Sequence, residues 1–279
     1  METGNLYLCA TPIGNLEDIT YRAVRILNEV DLVAAEDTRQ SLKLFNYYEI
    51  KTAITSYHKF NIKQKTPFLI TKLQEGLNIA VVSDAGLPGI SDPGVELVAE
   101  AIENNIKVIP IPGPSAVTTA LVASGLDTNS FSFYGFMPSK KSGRKKFLKR
   151  LAKEENTLIF YESPHRIIDT LEIIYDVFGE RNACVSRELT KKFEEFRRGT
   201  IPDLINYYKQ AGVKGEITLV VSGADTNETD DPIETSVLLG KVDELIEDGI
   251  PKKEALKTIA KEYNVSKREL YQEYESKPK

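Results

Sequence analysis

The sequence predicts an α/β protein of two successive domains followed by a small helical appendage. Three observations predict it. Short β-rich runs alternate with helix-period stretches over the first 120 residues, and such alternation builds a parallel sheet with helices on its faces. After "LVASGLDTNS" the rhythm changes: two of the later strand-like runs have no obvious helix between them, which predicts a mixed sheet. Past residue 225 a polar stretch gives way to helical periodicity alone. The expected divisions are 1–120, 121–225 and 226–279.

In chain order, the strands of the first domain are "LYLCA" (6–10), "LVAAE" (32–36), "AITSY" (53–57), "IAVVS" (79–83) and "KVIPI" (107–111). Helical patterns such as "TYRAVRILNEV" and "TPFLITKLQEG" separate them. The second domain draws on "FSFYGF" (131–136), "TLIFY" (157–161), "ACVSR" (183–187), "EFRRGT" (195–200) and "EITLVVSG" (216–223). "GADTNETDDP" (223–232) reads as a polar linker. In the tail, Leu256, Ile259, Ala260 and Tyr263 share a helical face, and Ser266 with Glu269 forms a capping-box pattern. This predicts a helix-turn-helix-like unit, serving either as a packed hairpin or as a nucleic-acid contact.

Composition narrows the class. A chain of 279 residues accommodates two α/β domains, and 41% apolar with 28% charged residues excludes wholesale disorder. The net charge of −5 gives no global attraction to nucleic acid, so such binding must come from local patches. Cys9 and Cys184 both lie in strand-like runs and fit a reducing compartment rather than a disulfide framework. With His58 and His165 the only histidines, a zinc cluster is not expected. "METGNLYLCA" lacks the basic segment of a signal peptide, and no apolar run approaches membrane-spanning length. The expectation is a cytoplasmic protein with no membrane and no metal.

Ligands of parallel α/β sheets gather beyond the carboxyl ends of the strands. Here those ends read "ATPIGNLEDIT", "EDTRQS", "SDAGLPGISDPG" and "PGPSA". The glycines of "SDAGLPGISDPG" (83–94) match neither the dinucleotide fingerprint nor the phosphate loop. Asp84 and Asp92 would repel a pyrophosphate, and no lysine compensates. The loop therefore suits a ligand with positive charge or hydroxyl donors; alternatively its glycines merely permit positive φ and its aspartates cap helices. In "PIPGPSA", Pro114 is expected in a helix's first turn, with Ser115 and Ala116 offering backbone N–H groups to a carboxylate, or simply starting a helix.

Taken in order, "ATPIGNLEDIT", "EDTR", "SDAGLPGISDPG", "PGPSA", "FYGF", "IFYESPHR" and "RELTK" span residues 10–191. Each is weak alone, but together they resemble the tetrapyrrole-methylase superfamily, the class III S-adenosylmethionine methyltransferases. Within it they are most similar to the branch acting on small-subunit ribosomal RNA. The resemblance covers roughly 1–223 and leaves the tail unmatched. It implies the two-domain class III fold, a homodimer, S-adenosylmethionine in the cleft between domains, and 2′-O-methylation of a cytidine in the decoding region of 16S rRNA. Carried over by motif, the cofactor contacts would be Ile13, Asp84, Ala85, Gly86, Leu87, Gly89, Ile90, Ser115 and Ala116, with Tyr161, Ser186, Gly215 and Glu216 from the second domain. One departure is Ser83-Asp84-Ala85, where the superfamily commonly has Gly-Asp-Pro. The ribosomal branch shares it, which argues against a corrin-making enzyme rather than against the cofactor.

Candidates for the chemistry follow from residue type. Glu36, Asp37 and Arg39 end the second strand and could face a ribose and its phosphate; alternatively Asp37 or Thr38 caps the next helix. His58 is a proton acceptor by chemistry, although a lone loop histidine is more often incidental. In "ESPHR", Ser163 is expected to cap a helix with Pro164 in its first position, leaving Glu162 and Arg166 free for the site. Glu188 and Lys191 are expected near it, facing substrate phosphate or forming an interdomain ion pair. "PSKKSGRKKFLKRLAK" (138–153) carries eight Lys/Arg and no acid, read as a basic loop leading into a basic helix. Its Lys140, Lys141, Arg144, Lys145, Lys146, Lys149 and Arg150 are candidate contacts to an RNA backbone, against the blander reading of a solvated face. Tyr134 and Phe136 could stack on a base, with a place in the strand core preferred. Two other readings stay open: a methylase of the same fold acting on a tetrapyrrole or a modified protein side chain, which has no use for the basic run, and a non-catalytic RNA-binding ribosome assembly factor, which has no use for Asp84 and its glycines.

Overall fold

A computed structural model describes residues 2–225, 235–263 and 265–276. In its first half, β1 (Leu6–Cys9), β2 (Leu32–Ala35), β3 (Ile54–Ser56), β4 (Ile79–Val82) and β5 (Val108–Ile111) form an all-parallel sheet of order β3-β2-β4-β1-β5. The helices between them are α1 (Tyr21–Glu29), α2 (Thr38–Tyr47), α3 (Ile62–Gln74) and α4 (Val95–Glu103). Strand periodicity divides each strand between two cores. In β4, Ala80 and Val82 join α1 and α2 on one face, while Ile79 and Val81 join α3 and α4 on the other. All four are buried, as the central place of β4 in the sheet requires of an apolar run. β1 and β4 lie side by side although β2, β3 and three helices come between them in the chain, so their carboxyl ends open a crevice at the point where connections diverge.

The second sheet is mixed: β6 (Phe131–Phe136), β7 (Thr157–Glu162), β8 (Asn182–Arg187), β9 (Glu195–Thr200) and β10 (Ile217–Val221) in the order β6-β7-β10-β8-β9. β6 and β7 are parallel and the other pairs antiparallel, including the helix-free β8–β9 connection that the changed rhythm predicts. α6 (Lys141–Leu151), α7 (Ile167–Phe178) and α8 (Ile201–Ala211) pack on one face around Leu148, Phe160, Leu171 and Leu204. The opposite face, with Ile159, Cys184 and Val220, is covered by Val117, Ala120 and Leu121 of α5 (Ala116–Ser124) and by Ile13. α5 thus carries the chain from one sheet onto the other, and residue 120 falls within it. Both sheets belong to one compact unit ending at Ala224.

The structure differs from expectation at three local points. Pro114 precedes the α5 N-cap, Ser115, instead of standing in the first turn. Ser163 and Pro164 begin a turn, and α7 starts three residues later, because the Glu162 carboxylate accepts from the Ser163 N–H at 2.7 Å and from Arg166 Nε at 2.8 Å. The expected loop over 138–143 is shorter, since Ser142 and Gly143 are already helical in α6. Cys9 and Cys184 are both buried free thiols.

Residues from 225 form a second unit. Its described residues form three helices rather than the expected two: α9 (Thr235–Glu247), α10 (Lys252–Glu262) and α11 (Lys267–Glu275). They share a core of Leu238, Leu239, Val242, Leu256, Ile259 and Leu270. The Ser266 hydroxyl caps α11 by accepting from the Glu269 N–H. Most of the expected linker, residues 226–232, lies outside the described residues. Among the described residues no helix is long and apolar enough to cross a membrane.

Candidate active site

The loops after β1, β2 and β4 are tied together before any ligand is considered. Thr11 and Gly86 exchange both backbone hydrogen bonds, at 2.9 and 3.0 Å, which Gly86 permits by its φ of +81°. Asp84 Oδ1 accepts from the Asp37 N–H at 3.0 Å, and the Asp84 N–H points back at Glu36 Oε2, 3.5 Å away. The second sheet closes against this frame at Gly14, where a Cβ would lie only 2.8 Å from the Leu189 carbonyl oxygen. Between them is a cavity of about 420 Å³.

Most of the expected ligand-contact residues line it. Ile13 and the run Asp84, Ala85, Gly86, Leu87 and Ile90 come from the β1 and β4 loops, Ser115 and Ala116 from the start of α5, and Tyr161, Gly215 and Glu216 from the second sheet. Two do not. Ser186 is fully buried, its hydroxyl 3.7 Å from Cys184 Sγ, and Gly89 instead packs against Gly94 to close its loop. Asp92, Ser91, Phe136 and Glu162 line the cavity without having been singled out as contacts. For Asp92 the signal was present, since its charge opposes a phosphate as Asp84's does. Phe136 departs from the expected core position: it is exposed at the end of edge strand β6, with its ring 5.5 Å from that of Tyr161.

The charge of the lining is one-sided. Among the described residues five carboxylates border the cavity (Glu36, Asp84, Asp92, Glu162 and Glu216), and no Lys, Arg or His does. Two are neutralised. Glu162, 2% exposed, is held by Arg166, by the Ser163 N–H and by the Thr170 hydroxyl at 2.7 Å, so neither it nor Arg166 is free as expected. Glu216 pairs with Lys191 Nζ at 2.9 Å. The other three make no ion pair among the described residues and hold their protons more tightly than usual. Burial, then the charge of Asp84, raises the Glu36 pKa. Burial chiefly raises that of Asp84. Burial, then Glu36, pushes Asp92 up to about 6. Across the cleft, burial and then the charge of Asp92 push Tyr161 to about 12. Among the described residues no group of three or more His, Cys, Asp or Glu is arranged to hold a metal ion.

At the start of α5 the Ser115 side chain makes no capping bond, so the first-turn N–H groups remain open where Ser115 and Ala116 meet the cavity. Of the five residues expected to act in chemistry, Glu36 alone lines it. Asp37 caps α2 by accepting from the Arg39 N–H, and its carboxylate pairs with the Arg39 side chain at 2.7 Å, which lowers its pKa to about 2. Glu188 and Lys191 pair with each other at 3.0 Å, with Glu188 also accepting from the Glu216 N–H. These two buttress the Gly215–Glu216 turn instead of facing the cleft. His58, half-buried just beyond β3, does not line the cavity either.

Along α6, Lys141, Lys145, Lys146, Lys149 and Arg150 are exposed, as is Lys140 before it. Arg144 is not: it is 2% exposed, donates to the Ser139 carbonyl at 3.1 Å and lies 3.9 Å from Asp169. It stands on the inward stripe with Leu148 and Leu151, four and seven residues on, and so cannot serve as a phosphate contact.

Known proteins agree with this architecture. The sequence profile of the tetrapyrrole (corrin/porphyrin) methylases matches residues 5–205. Proteins named ribosomal RNA small subunit methyltransferase I are similar over nearly the whole chain. The one from Halalkalibacterium halodurans is 48% identical, over 98% of this chain and 95% of the relative. The one from Bacillus subtilis is 47% identical, over 99% and 96%, and the one from Synechocystis 48%, over 96% of each. Among solved structures, the fold is similar to uroporphyrin-III-C-methyltransferase from Thermus thermophilus (TM-score 0.55, 20% identity, 78% of this chain and 94% of that one). It is similar also to diphthine synthase (TM-score 0.59, 12% identity, 78% and 90%). The chain belongs to the tetrapyrrole (corrin/porphyrin) methylase family.

Proposed function

We propose that this protein transfers a methyl group from S-adenosylmethionine to the RNA of the small ribosomal subunit, at the 2′-hydroxyl of a cytidine in the decoding region of 16S rRNA. The observation that carries the reading is the charge of the cleft, bordered among the described residues by five carboxylates and no basic side chain, in a chain 47–48% identical to relatives named for methylating that RNA. S-adenosylmethionine presents a sulfonium, an ammonium, a carboxylate and ribose hydroxyls, but no phosphate. The residues present fit each group. Asp84 and Asp92 can accept from an ammonium or hydroxyl, the open N–H groups at the start of α5 suit a carboxylate, and Ile13, Leu87, Ile90 and Leu189 supply apolar lining for a flat base.

When bound, the cofactor supplies an electrophilic methyl carbon on a positively charged sulfur. The chain's own residues supply position and a proton acceptor. Holding two reactants in line can contribute roughly 7–11 kcal/mol of the barrier, and the bonds among Thr11, Gly86, Asp37 and Asp84 keep the loops that do this in register. Glu36 is the group we assign to take the 2′-hydroxyl proton. It is half-buried, lines the cavity, and has a raised pKa that makes its carboxylate a stronger base. Lys140, Lys141, Lys145, Lys146, Lys149 and Arg150 form the basic surface that meets the RNA backbone. That surface favours an RNA substrate over a tetrapyrrole. In this reading the enzyme works in the cytoplasm as a homodimer.

The test is transfer of tritiated methyl from S-adenosylmethionine to small ribosomal subunits lacking this modification, to naked 16S rRNA and to unrelated RNAs. The expected result is one labelled cytidine in 16S rRNA. Equal labelling of unrelated RNAs, or none of any RNA, contradicts the reading. Charge reversal at Lys146 and Lys149 should weaken RNA binding and flatten its salt dependence, by a slope of about 0.7 per lost phosphate contact on single-stranded RNA.

A further inference from the structure

Two turns, one beside each sheet, carry the same device. After β3, the Asn61 N–H donates to the His58 carbonyl at 2.8 Å, closing a tight turn with Lys59 and Phe60 at its tip. Between β8 and β9, the Glu194 N–H donates to the Lys191 carbonyl at 3.0 Å, closing a second turn with Lys192 and Phe193 at its tip. In each, the last side chain reaches back and fixes the loop. Asn61 Oδ1 accepts from the His58 N–H at 2.9 Å, and Glu194 Oε2 from the Thr190 N–H at 2.6 Å. In each, the lysine ammonium stands over the neighbouring ring, 4.9 Å from the Phe60 centroid and 5.7 Å from that of Phe193. The two rings are 85% and 66% exposed.

Each tip is joined to the cavity wall, one through the first sheet and one through the second. Ser56, at the end of β3, pairs in register with Ala35, the residue before Glu36. Burial chiefly raises the Glu36 pKa, and the charge of Lys59 opposes it. On the other side Leu189 lines the cavity, and Lys191, which opens the second turn, holds Glu216 of the lining at 2.9 Å. An exposed phenyl ring adds little to a core, and a solvated lysine needs no fixed turn. A ring with an ammonium over it suits a ligand that alternates flat rings and anions, which is an unpaired nucleic-acid strand. In a duplex the bases stack on one another and leave no free face. A polyanion passing the carboxylates of the cleft also needs positive charge at the mouth. We infer that the two tips grip an unpaired RNA strand on either side of the target nucleotide, each stacking one neighbouring base and meeting its phosphate. The nucleotide between them is then held out of the strand's own stack, over the cleft. The inference rests on the RNA-methylating reading given above and goes beyond it: the substrate is single-stranded across the target and its neighbours, and the basic surface of α6 alone does not place it.

The test uses the full chain loaded with S-adenosylhomocysteine and follows the fluorescence anisotropy of a labelled unpaired oligocytidylate and of a blunt RNA duplex. Phe60→Ala and Phe193→Ala should each weaken binding of the unpaired strand about fivefold or more, as the loss of one base–aromatic stack does. Duplex binding should stay within about twofold. Tyrosine at either position should keep the affinity, whereas leucine, apolar but without a π-face, should not. Lys59→Gln and Lys192→Gln should each flatten the salt dependence of strand binding by a slope of about 0.7. S-adenosylhomocysteine affinity and sedimentation should match wild type, which also reports that the variants are folded. Three results overturn the inference: strand affinity within twofold of wild type in either alanine variant, equal weakening of strand and duplex, or full affinity with leucine. A changed oligomeric state in either variant also overturns it, by assigning that ring to an interface between copies. In a methylation assay, wild-type transfer to 16S rRNA with the Phe60→Ala/Phe193→Ala double variant at full kcat/KM sinks the grip and leaves the proposed function standing. Absence of wild-type transfer to any RNA sinks the proposed function itself.

Discussion

Glu36, Asp84 and Asp92 gather at the carboxyl ends of β2 and β4, while Glu188 and Glu216 stand on the other side of the same cleft around Lys191. The two groups are alike in composition and opposite in condition. The first makes no ion pair among the described residues, and burial raises the pKa of all three members. In the second, the Glu216 N–H and then Lys191 lower the Glu188 pKa. Hydrogen bonds to both glutamates raise that of Lys191 against the effect of its burial. A carboxylate held above its usual pKa awaits something that the fold does not supply; one held below it is already serving the fold. The comparison assigns the first group to ligand and reaction and the second to scaffold.

Substitutions on the two sides should separate these roles. The largest effect is expected at Glu36→Gln, with kcat for methyl transfer falling about 10²–10⁴-fold and cofactor affinity nearly kept, as single-turnover and binding measurements would show. Asp84→Asn keeps an acceptor for the Asp37 N–H but removes the charge. It should weaken S-adenosylmethionine by on the order of ten- to a hundredfold, the worth of a hydrogen bond to a charged group. Smallest is Glu188→Gln, which should cost about 1 kcal/mol and lower Tm by roughly 2–4 °C, with the cofactor Kd unchanged. A Glu188→Gln enzyme that folds normally but loses cofactor binding would erase the distinction.

Much of this arrangement is legible in the sequence, and the exceptions have physical causes. Short apolar strands such as β1, β4 and β10 between turn residues declare themselves, and "SDAGLPGISDPG" with its uncompensated aspartates marks the ligand loop. Pairing across the chain does not declare itself. Lys191 looks catalytic until Glu216, 25 residues away, is seen to hold it. Glu162 looks available until its own turn folds Arg166 onto it. Tyr161 and Ser186 both pair with Thr218, from the strands on either side of β10, and have similar motif support, yet only the ring reaches the cavity, because reach depends on side-chain length and on the sheet's packing. Other misses were readable. Arg144, Leu148 and Leu151 keep the helical spacing of an inward stripe, and Leu238, Leu239 and Val242 announce α9 in the same way.

The pH dependence of S-adenosylmethionine binding tests the central claim most directly. A raised folded-state pKa means that the free protein takes up protons more readily than the unfolded chain. Asp92 therefore favours folding as pH drops through about 6, and that contribution fades as pH rises above it. A cationic ligand prefers the opposite, ionised state. Calorimetric titration between pH 5 and 8 should thus give full affinity above pH 7. Below about 6 affinity should fall, by at most about tenfold per pH unit for one linked proton, with a buffer-dependent enthalpy showing proton release on binding. Binding that is absent at millimolar ligand, or that stays constant across this range with no proton released, would contradict the assignment of Asp84 and Asp92 to a cationic cofactor.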